Sequence, residues 1–571
     1  MNRPSQRATD AQSEREAAPS LWPYLLLCAA AALWIDFGSL HRWHHSDSLL
    51  PALISLYRWT PFYWELDRIG MLAPLIARPV KHPLFNLLVQ DGLYVFCALS
   101  ALVLMARYLL RNGTFPVVGV LSVAAFLSLT PGYYRFEYMI DTQYGVWLFL
   151  GLASLILLER PAGVSLSWPR RISAVMLMVL AHWVYCTATM FLGPLIVFRA
   201  VFCANGGADI VWALRRGAAV PAGAAGADEG LGRRRGGDIS LGGAWQSLRE
   251  NAAAAELGHS LATLAIGFAA GLCLMQLAPI HDTDFASLPI SDWPRTWRQL
   301  LATSWTSLAP QRWPWFLLAA AAFGLSAYCL PAVRKRAQAN WRSAIAALTA
   351  ATMIGLFIGT RHWVVANSYA FRFLLPSALM TQAALLGIAA APLSVIVNQR
   401  ASRFVCLAAL PLMLGAAAIG YGRPSLDGVY KDLDPYYDAT AMGVPPGIGT
   451  RDMLDCRCTH VAGDYWKVWH AVFRANLALY ERGERKVIWG LSLRSQPTHR
   501  YWSKIPREQM RVAIAAGGDP EADAYLAHYQ LGPLGVSEQR ESLWLLQPQE
   551  LLAAKASEKT PVRTAQRLQE R

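Results

Sequence analysis

Stretches of about twenty apolar residues recur along this chain, and that recurrence limits what it can fold into. They fall near 21–40, 84–106, 114–130, 141–158, 172–202, 258–279, 313–333, 343–360, 368–392 and 403–421. A helix of roughly 20 mostly apolar residues crosses the hydrocarbon core of a bilayer. Only 16% of the 571 residues are charged, against about 25% in soluble domains, and the mean hydropathy is +0.27. The expected class is a polytopic α-helical membrane protein.

The segment 172–202, "ISAVMLMVLAHWVYCTATMFLGPLIVFRAVF", is too long for one ordinary span. It reads either as one overlong helix or as two short ones meeting near "HWVYCTATM". Lys and Arg gather on the cytoplasmic side of membrane proteins. With two helices and the N-terminus inside, the inner stretches carry 20 Lys/Arg and the outer ones 10. With a single crossing the bias reverses. Two helices therefore fit, giving about eleven spans with the C-terminus outside. The net charge of +14 follows from this bias, so no nucleic acid is expected as partner.

The tail 1–20 is polar and mixed in charge, and reads as a disordered cytoplasmic tail. Residues 21–422 form the membrane domain. Within it, 203–257 contains "AAVPAGAAGADEGLGRRRGGD" and reads as a flexible cytoplasmic loop. From 423 to 552 polar residues return. "CTHVAG" and "KVIWGLSL" read as strands, and "SLWLLQP" as a third. "DYWKVWHAVFRANLALYERGE" reads as an amphipathic helix with Trp466, Trp469, Phe473 and Leu477 on one face. This is enough for a small extracytoplasmic α/β domain. Residues 553–571 form a polar tail.

The first outer loop, "HHSDSLLPALISLYRWTPFYWELDRIG", is acidic and rich in aromatic residues suited to a membrane interface. Two readings are open for its acids. Asp47 and Asp67 are candidates for a general base. Equally, Asp47 can cap the helix that follows, and Asp67 can pair with Arg68 or Arg58. Arg372, in "NSYAFRFLLPSAL", enters an apolar segment at a cost that marks a functional candidate. It suits a lipid phosphate, or a partner carboxylate. Arg68, His45, Arg135, Glu137 and Asp141 are further candidates for substrate binding, and "PIHDTDF" adds His281, Asp282 and Asp284. His41, His44 and His45 lie together in "HRWHH". By proximity they could ligate a metal; no second cluster has clear ligand spacing, so the first reading is interfacial histidines, with no cofactor expected and a divalent metal left open as the alternative. Cys456 and Cys458 in "DCRC" are awkwardly spaced for a mutual disulfide if that stretch is an extended strand.

In these features the chain resembles the GT-C superfamily of membrane glycosyltransferases. The resemblance rests on the long acidic first outer loop, on "FRFLLP" opening a late helix, and on "THVAGDYWKVWHAVF" in an outward C-terminal domain. It implies a GT-C-like fold in a bacterial inner membrane. It also implies transfer of a sugar from a polyprenyl-phosphate donor to an acceptor hydroxyl, with no nucleotide. By position, Asp47 matches the family's base and Arg372 its phosphate ligand. The paired acids of the family are absent here, because Asp47 is followed by Ser48, so Asp67 is a second candidate base. The reading from another class is a transporter of lipid or polysaccharide, or an assembly scaffold. A reporter fused after Gly237 is expected to read as cytoplasmic and one after Pro506 as periplasmic. A periplasmic signal at Gly237 overturns this topology.

Overall fold

The computed structural model describes residues 20–63, 69–110, 114–141, 143–159, 166–202, 252–279, 281, 286–307, 331–390, 399–433, 449–492, 506, 509–528 and 533–553. The tails, the loop 203–251, and Asp67 and Arg68 lie outside these.

The helices begin with α1 (Trp22–Asp36), α2 (Ser46–Tyr57), α3 (Pro83–Leu109), α4 (Phe115–Leu129) and α5 (Tyr144–Leu158). They continue with α6 (Trp168–Val184), α7 (Ala188–Phe202), α8 (Ala252–Met275), α9 (Pro331–Ile358), α10 (Leu375–Ala389) and α11 (Gln399–Tyr421). The long apolar segment breaks at Tyr185–Thr187 into α6 and α7, within the stretch "HWVYCTATM".

Among the described residues, four helices are long and apolar enough to cross a membrane: Pro83–Leu109, Ala255–Met275, Asn340–Ile358 and Phe371–Ala389. A fifth follows if Gly132–Asp141 and α5, which meet at a bend, count as one span. Helices α1, α4 and α7 are apolar but shorter. Leu26, Ile266, Met353 and Ile419 stand exposed on helix surfaces, as side chains facing lipid would.

The chain divides into two compact units. The first comprises residues up to 33, 94–277 and 282–420. Several of its helix ends are tied by buried charges. Arg199 of α7 reaches Glu159 at 2.6 Å and Glu256 of α8 at 3.1 Å, and Arg107 of α3 reaches Glu159 at 3.1 Å. Each charge is paired, which is the condition for burying it.

The second unit comprises 34–93, 278–281 and 421–571. It holds the segment that follows α1 together with an α/β region. That region runs β1 (His460–Ala462), α12 (Tyr465–Glu481), β2 (Trp489–Leu491), β3 (Val512–Ala515), a helix Pro520–His528, β4 (Leu534–Gln539) and β5 (Leu543–Pro548). The sheet order is β2-β1-β3-β5-β4. Strands β1–β2 and β1–β3 are parallel, and β3–β5 and β4–β5 antiparallel.

Asp464 caps α12, accepting from the amides of Trp466 and Lys467 at 2.9 and 3.2 Å. Trp469, Phe473 and Leu477 are fully buried and pack with Leu49, Leu50 and Leu53 of α2. Trp466 departs from the expected face: it is 44% exposed. Its offset of three residues from Trp469 carries it to the rim of the stripe. Gly490 of β2 lets the sheet approach α12, because a Cβ there would stand 2.6 Å from the Val468 side chain. Cys456 and Cys458 are not in an extended strand. Arg457 between them takes left-handed backbone angles (φ 51) after the helix Thr450–Asp455, and both thiols are buried and free. Burial and the neighbouring Cys456 push the Cys458 thiol up to about 12.

Trp469→Ala removes the largest side chain of this core. It is expected to destabilise by about 3–5 kcal/mol, while Trp466→Ala leaves the melting temperature near wild type. An unchanged melting temperature for Trp469→Ala contradicts this packing.

Candidate active site

Helix α2 starts where His45 can cap it. The His45 ring accepts from the amide of Asp47 at 3.2 Å, and the Ser48 hydroxyl accepts from the amide of His45 at 3.0 Å. This corrects the capping role considered for Asp47. Asp47 sits in the first turn instead, where the helix dipole favours a negative charge.

The carboxylate of Asp47 is claimed by two phenols. Its Oδ1 accepts from Tyr63 OH at 3.0 Å and from Tyr465 OH, and the phenol oxygens lie 2.7 Å apart. Tyr63 comes from the first loop and Tyr465 from the first residue of α12. Ser46 Oγ donates to the Tyr465 carbonyl at 2.5 Å, which fixes the backbone that carries the second phenol. Burial, then the neighbouring Tyr465 and Asp47, hold the Tyr63 phenol well above its ordinary range. Tyr63 therefore remains a donor at neutral pH. The His45 ring meets Trp466 edge-on, 5.2 Å between centroids. A carboxylate held in one orientation by fixed donors suits a general base, whose efficiency depends on reach and alignment.

The second cluster lies in the first unit. Arg372 sits in the turn Phe371–Leu374 that leads into α10. Its Nη1 stands 3.5 Å from Glu137 and 3.9 Å from Asp141, and its Nη2 donates to Asn367 Oδ1 at 3.0 Å. The guanidinium also lies 5.1 Å from the Phe373 ring centroid. Glu137 is buried and accepts from Tyr133 OH. Three of the sequence candidates, Arg372, Glu137 and Asp141, thus come together. The two ion-pair distances are longer than a tight charged hydrogen bond of about 2.7–2.9 Å, and a quarter of the Arg372 side chain is exposed. That leaves the guanidinium able to take an anionic ligand.

Arg135 is spent elsewhere. It donates to the carbonyls of Leu127 and Gly420, satisfying last-turn carbonyls of α4 and α11. Asp67 and Arg68 lie outside the described residues. Tyr63, Tyr465, Tyr133 and Asn367 were not among the residues expected from sequence. The Tyr of "DYW" and the Tyr of "PFYWELD" were visible only as aromatic residues, and nothing in their spacing announces a shared carboxylate.

No protein-family model and no curated protein matches the chain. Among solved structures the chain is similar to ArnT from Cupriavidus metallidurans in the apo state. The identity is 12% and the TM-score 0.40, over 92% of this chain and 97% of that one. At that level the residues themselves carry any reading of function.

Tyr465→Phe is expected to cost about 1.5–3 kcal/mol, the worth of a hydrogen bond to a charged group, and to cost much less when Asp47 is already Asn. Additive losses in this double-mutant cycle would show that the two side chains do not interact. Tyr63 also sets a pH dependence. Its folded pKa is raised, so its contribution is complete below the ordinary phenol value of 10.0 and is lost as pH climbs above it.

Proposed function

We propose that the protein is an integral-membrane glycosyltransferase that moves a sugar from a polyprenyl-phosphate donor to an acceptor hydroxyl. It works on the outer face of a bacterial inner membrane, with about eleven spans and a cytoplasmic N-terminus. The observation that carries this reading is the Asp47 carboxylate of the first outer loop, held by the phenol of Tyr63 from that loop and of Tyr465 from α12. The partners are the bilayer and the lipid-linked sugar.

In this reaction the acceptor oxygen attacks the anomeric carbon of the sugar. The bond from that carbon to the phosphate oxygen breaks, and polyprenyl phosphate leaves with the bonding pair. The acceptor proton passes to Asp47. Arg372 holds the donor phosphate and stabilises the charge that grows on it as it leaves. Glu137 and Asp141 orient the guanidinium beforehand, so its fork is presented rather than searching. The lipid phosphate is the leaving group, so the reaction needs no nucleotide.

Asp47→Asn is expected to fold, bind the lipid-linked donor and lose about 10²–10⁴-fold in transfer rate, as the loss of a general base does. Arg372→Ala is expected to weaken donor binding as well. The assay is transfer from lipid-linked donors in proteoliposomes, with thermal stability as control. If Asp47→Asn keeps full turnover while Asp67→Asn loses it, the base is Asp67. If all three variants leave the protein's cellular role intact, a transporter or scaffold takes the place of the enzyme.

A further inference from the structure

Behind the first turn of α2, two histidines and two carboxylates are buried together, all within the second unit. Asp36 ends α1, His41 and His44 lie in and just after the turn Ser39–Trp43, and Asp91 lies within α3. Their exposures are 2%, 3%, 5% and 1% respectively. Burying two carboxylates without compensation is costly, yet Asp36 Oδ1 and Asp91 Oδ1 have no hydrogen-bond partner among the described residues.

The histidine geometry says where the compensation belongs. His41 Nε2 lies 2.8 Å from the backbone carbonyl of Asp36. A carbonyl can only accept, so Nε2 carries the proton and the neutral ring presents a lone pair at Nδ1. That Nδ1 is buried, lacks a hydrogen-bond partner, and faces Asp91 Oδ2 at 3.8 Å. His44 Nε2 stands 2.8 Å from the same Oδ2, and its Nδ1 is 2.8 Å from Ser48 Oγ. The two rings are 4.9 Å apart between centroids. One donor atom from each of His41, His44 and Asp91 falls within 4.8 Å of the others.

We propose that this cluster is a structural divalent-metal site of the zinc class, ligated by His41, His44 and Asp91. Bonds of about 2.0–2.2 Å from imidazole nitrogen and carboxylate oxygen need only small side-chain shifts from the present spacing. Two imidazoles with a carboxylate favour a zinc-like ion over magnesium or calcium, which take oxygen ligands. The carbonyl of Asp36 holds His41 in the ligating tautomer from outside the ligand set, the usual role of such a partner. A dication also offsets both buried carboxylates. The backbone around it is fixed in advance. Ser425 N donates to Phe37 O at 2.6 Å, and a Cβ on Gly38 would stand 2.9 Å from Tyr421 O. The ion would bind α1 and α3 to the start of α2, and His44 would carry that constraint to Ser48, next to Asp47. The site takes up the metal-ligand alternative that His41 and His44 left open, with Asp91 in place of His45, and it stands whether or not the protein transfers sugars.

The test uses the full-length protein in detergent, expressed with zinc and dialysed. Metal analysis is expected to give about one zinc per chain. A strong chelator should lower the melting temperature of the wild type, and added zinc should restore it. Asp91→Asn and His41→Gln should weaken zinc binding by more than the about 10–100-fold that losing an outer-shell partner costs. Asp47→Asn should keep the metal. Cobalt in place of zinc should give ligand-field bands that Asp91→Asn abolishes. A wild-type protein without metal above background, or with a metal content that these substitutions and the chelator leave unchanged, overturns the proposal.

Discussion

The hydrogen bonds from Tyr63 and Tyr465 to the Asp47 carboxylate are the interaction on which the second unit is organised. They join positions 47 and 465, which are 418 residues apart in the chain. Behind them, α2 and α12 share one apolar core of Leu49, Leu53, Trp469 and Phe473. The packing brings the helices together without choosing a register, because apolar contact is not directional. The carboxylate and its two donors choose it, since a slip would strand a charge against buried phenols. One set of bonds thus serves both the folding of the second unit and the presentation of its acid.

The first unit applies the same rule to a cation. Arg372 enters an apolar helix and is tolerated because Glu137, Asp141 and Asn367 receive it. Arg199 shows the same pattern with Glu159 and Glu256. Both guanidinium groups have carboxylate partners within about 4 Å, as burial in low dielectric demands. Asp36 and Asp91, in the second unit, differ: the basic groups beside them are histidines, which are neutral unless protonated.

Much of the outline was legible in the sequence. Apolar length marked the helices from α3 to α5 and α8, and the excess length of 172–202 marked the break at Tyr185. In the second unit, β1, α12, β2 and β5 follow their patterns. Strands β3 and β4 did not announce themselves. "VAIA" is four small apolar residues without alternation, and "LGVSEQ" carries Gly, Ser and charge where a strand pattern expects apolar residues. Single candidate residues were legible: the cost of placing a charge near lipid picked out Arg372, and position at a helix junction picked out Glu137 and Asp141. Their partners were not. Tyr63 and Tyr465 meet Asp47 through tertiary contacts, and a phenol in an aromatic run looks the same whether it fills a core or holds a carboxylate. His41 and His44 were visible, but Asp91 lies 47 residues beyond His44 inside an apolar helix, with no spacing that ties it to them.

In the proposed transfer the lipid phosphate leaves. Its most direct measurement is product analysis by mass spectrometry, with purified wild-type protein in proteoliposomes containing a polyprenyl-phosphate sugar and a membrane extract as acceptor. Free polyprenyl phosphate is expected to appear in step with a glycosylated acceptor, one for one and without added nucleotide. Donor carried intact across the bilayer with no release of lipid phosphate would contradict it, and would mark the protein as a transporter.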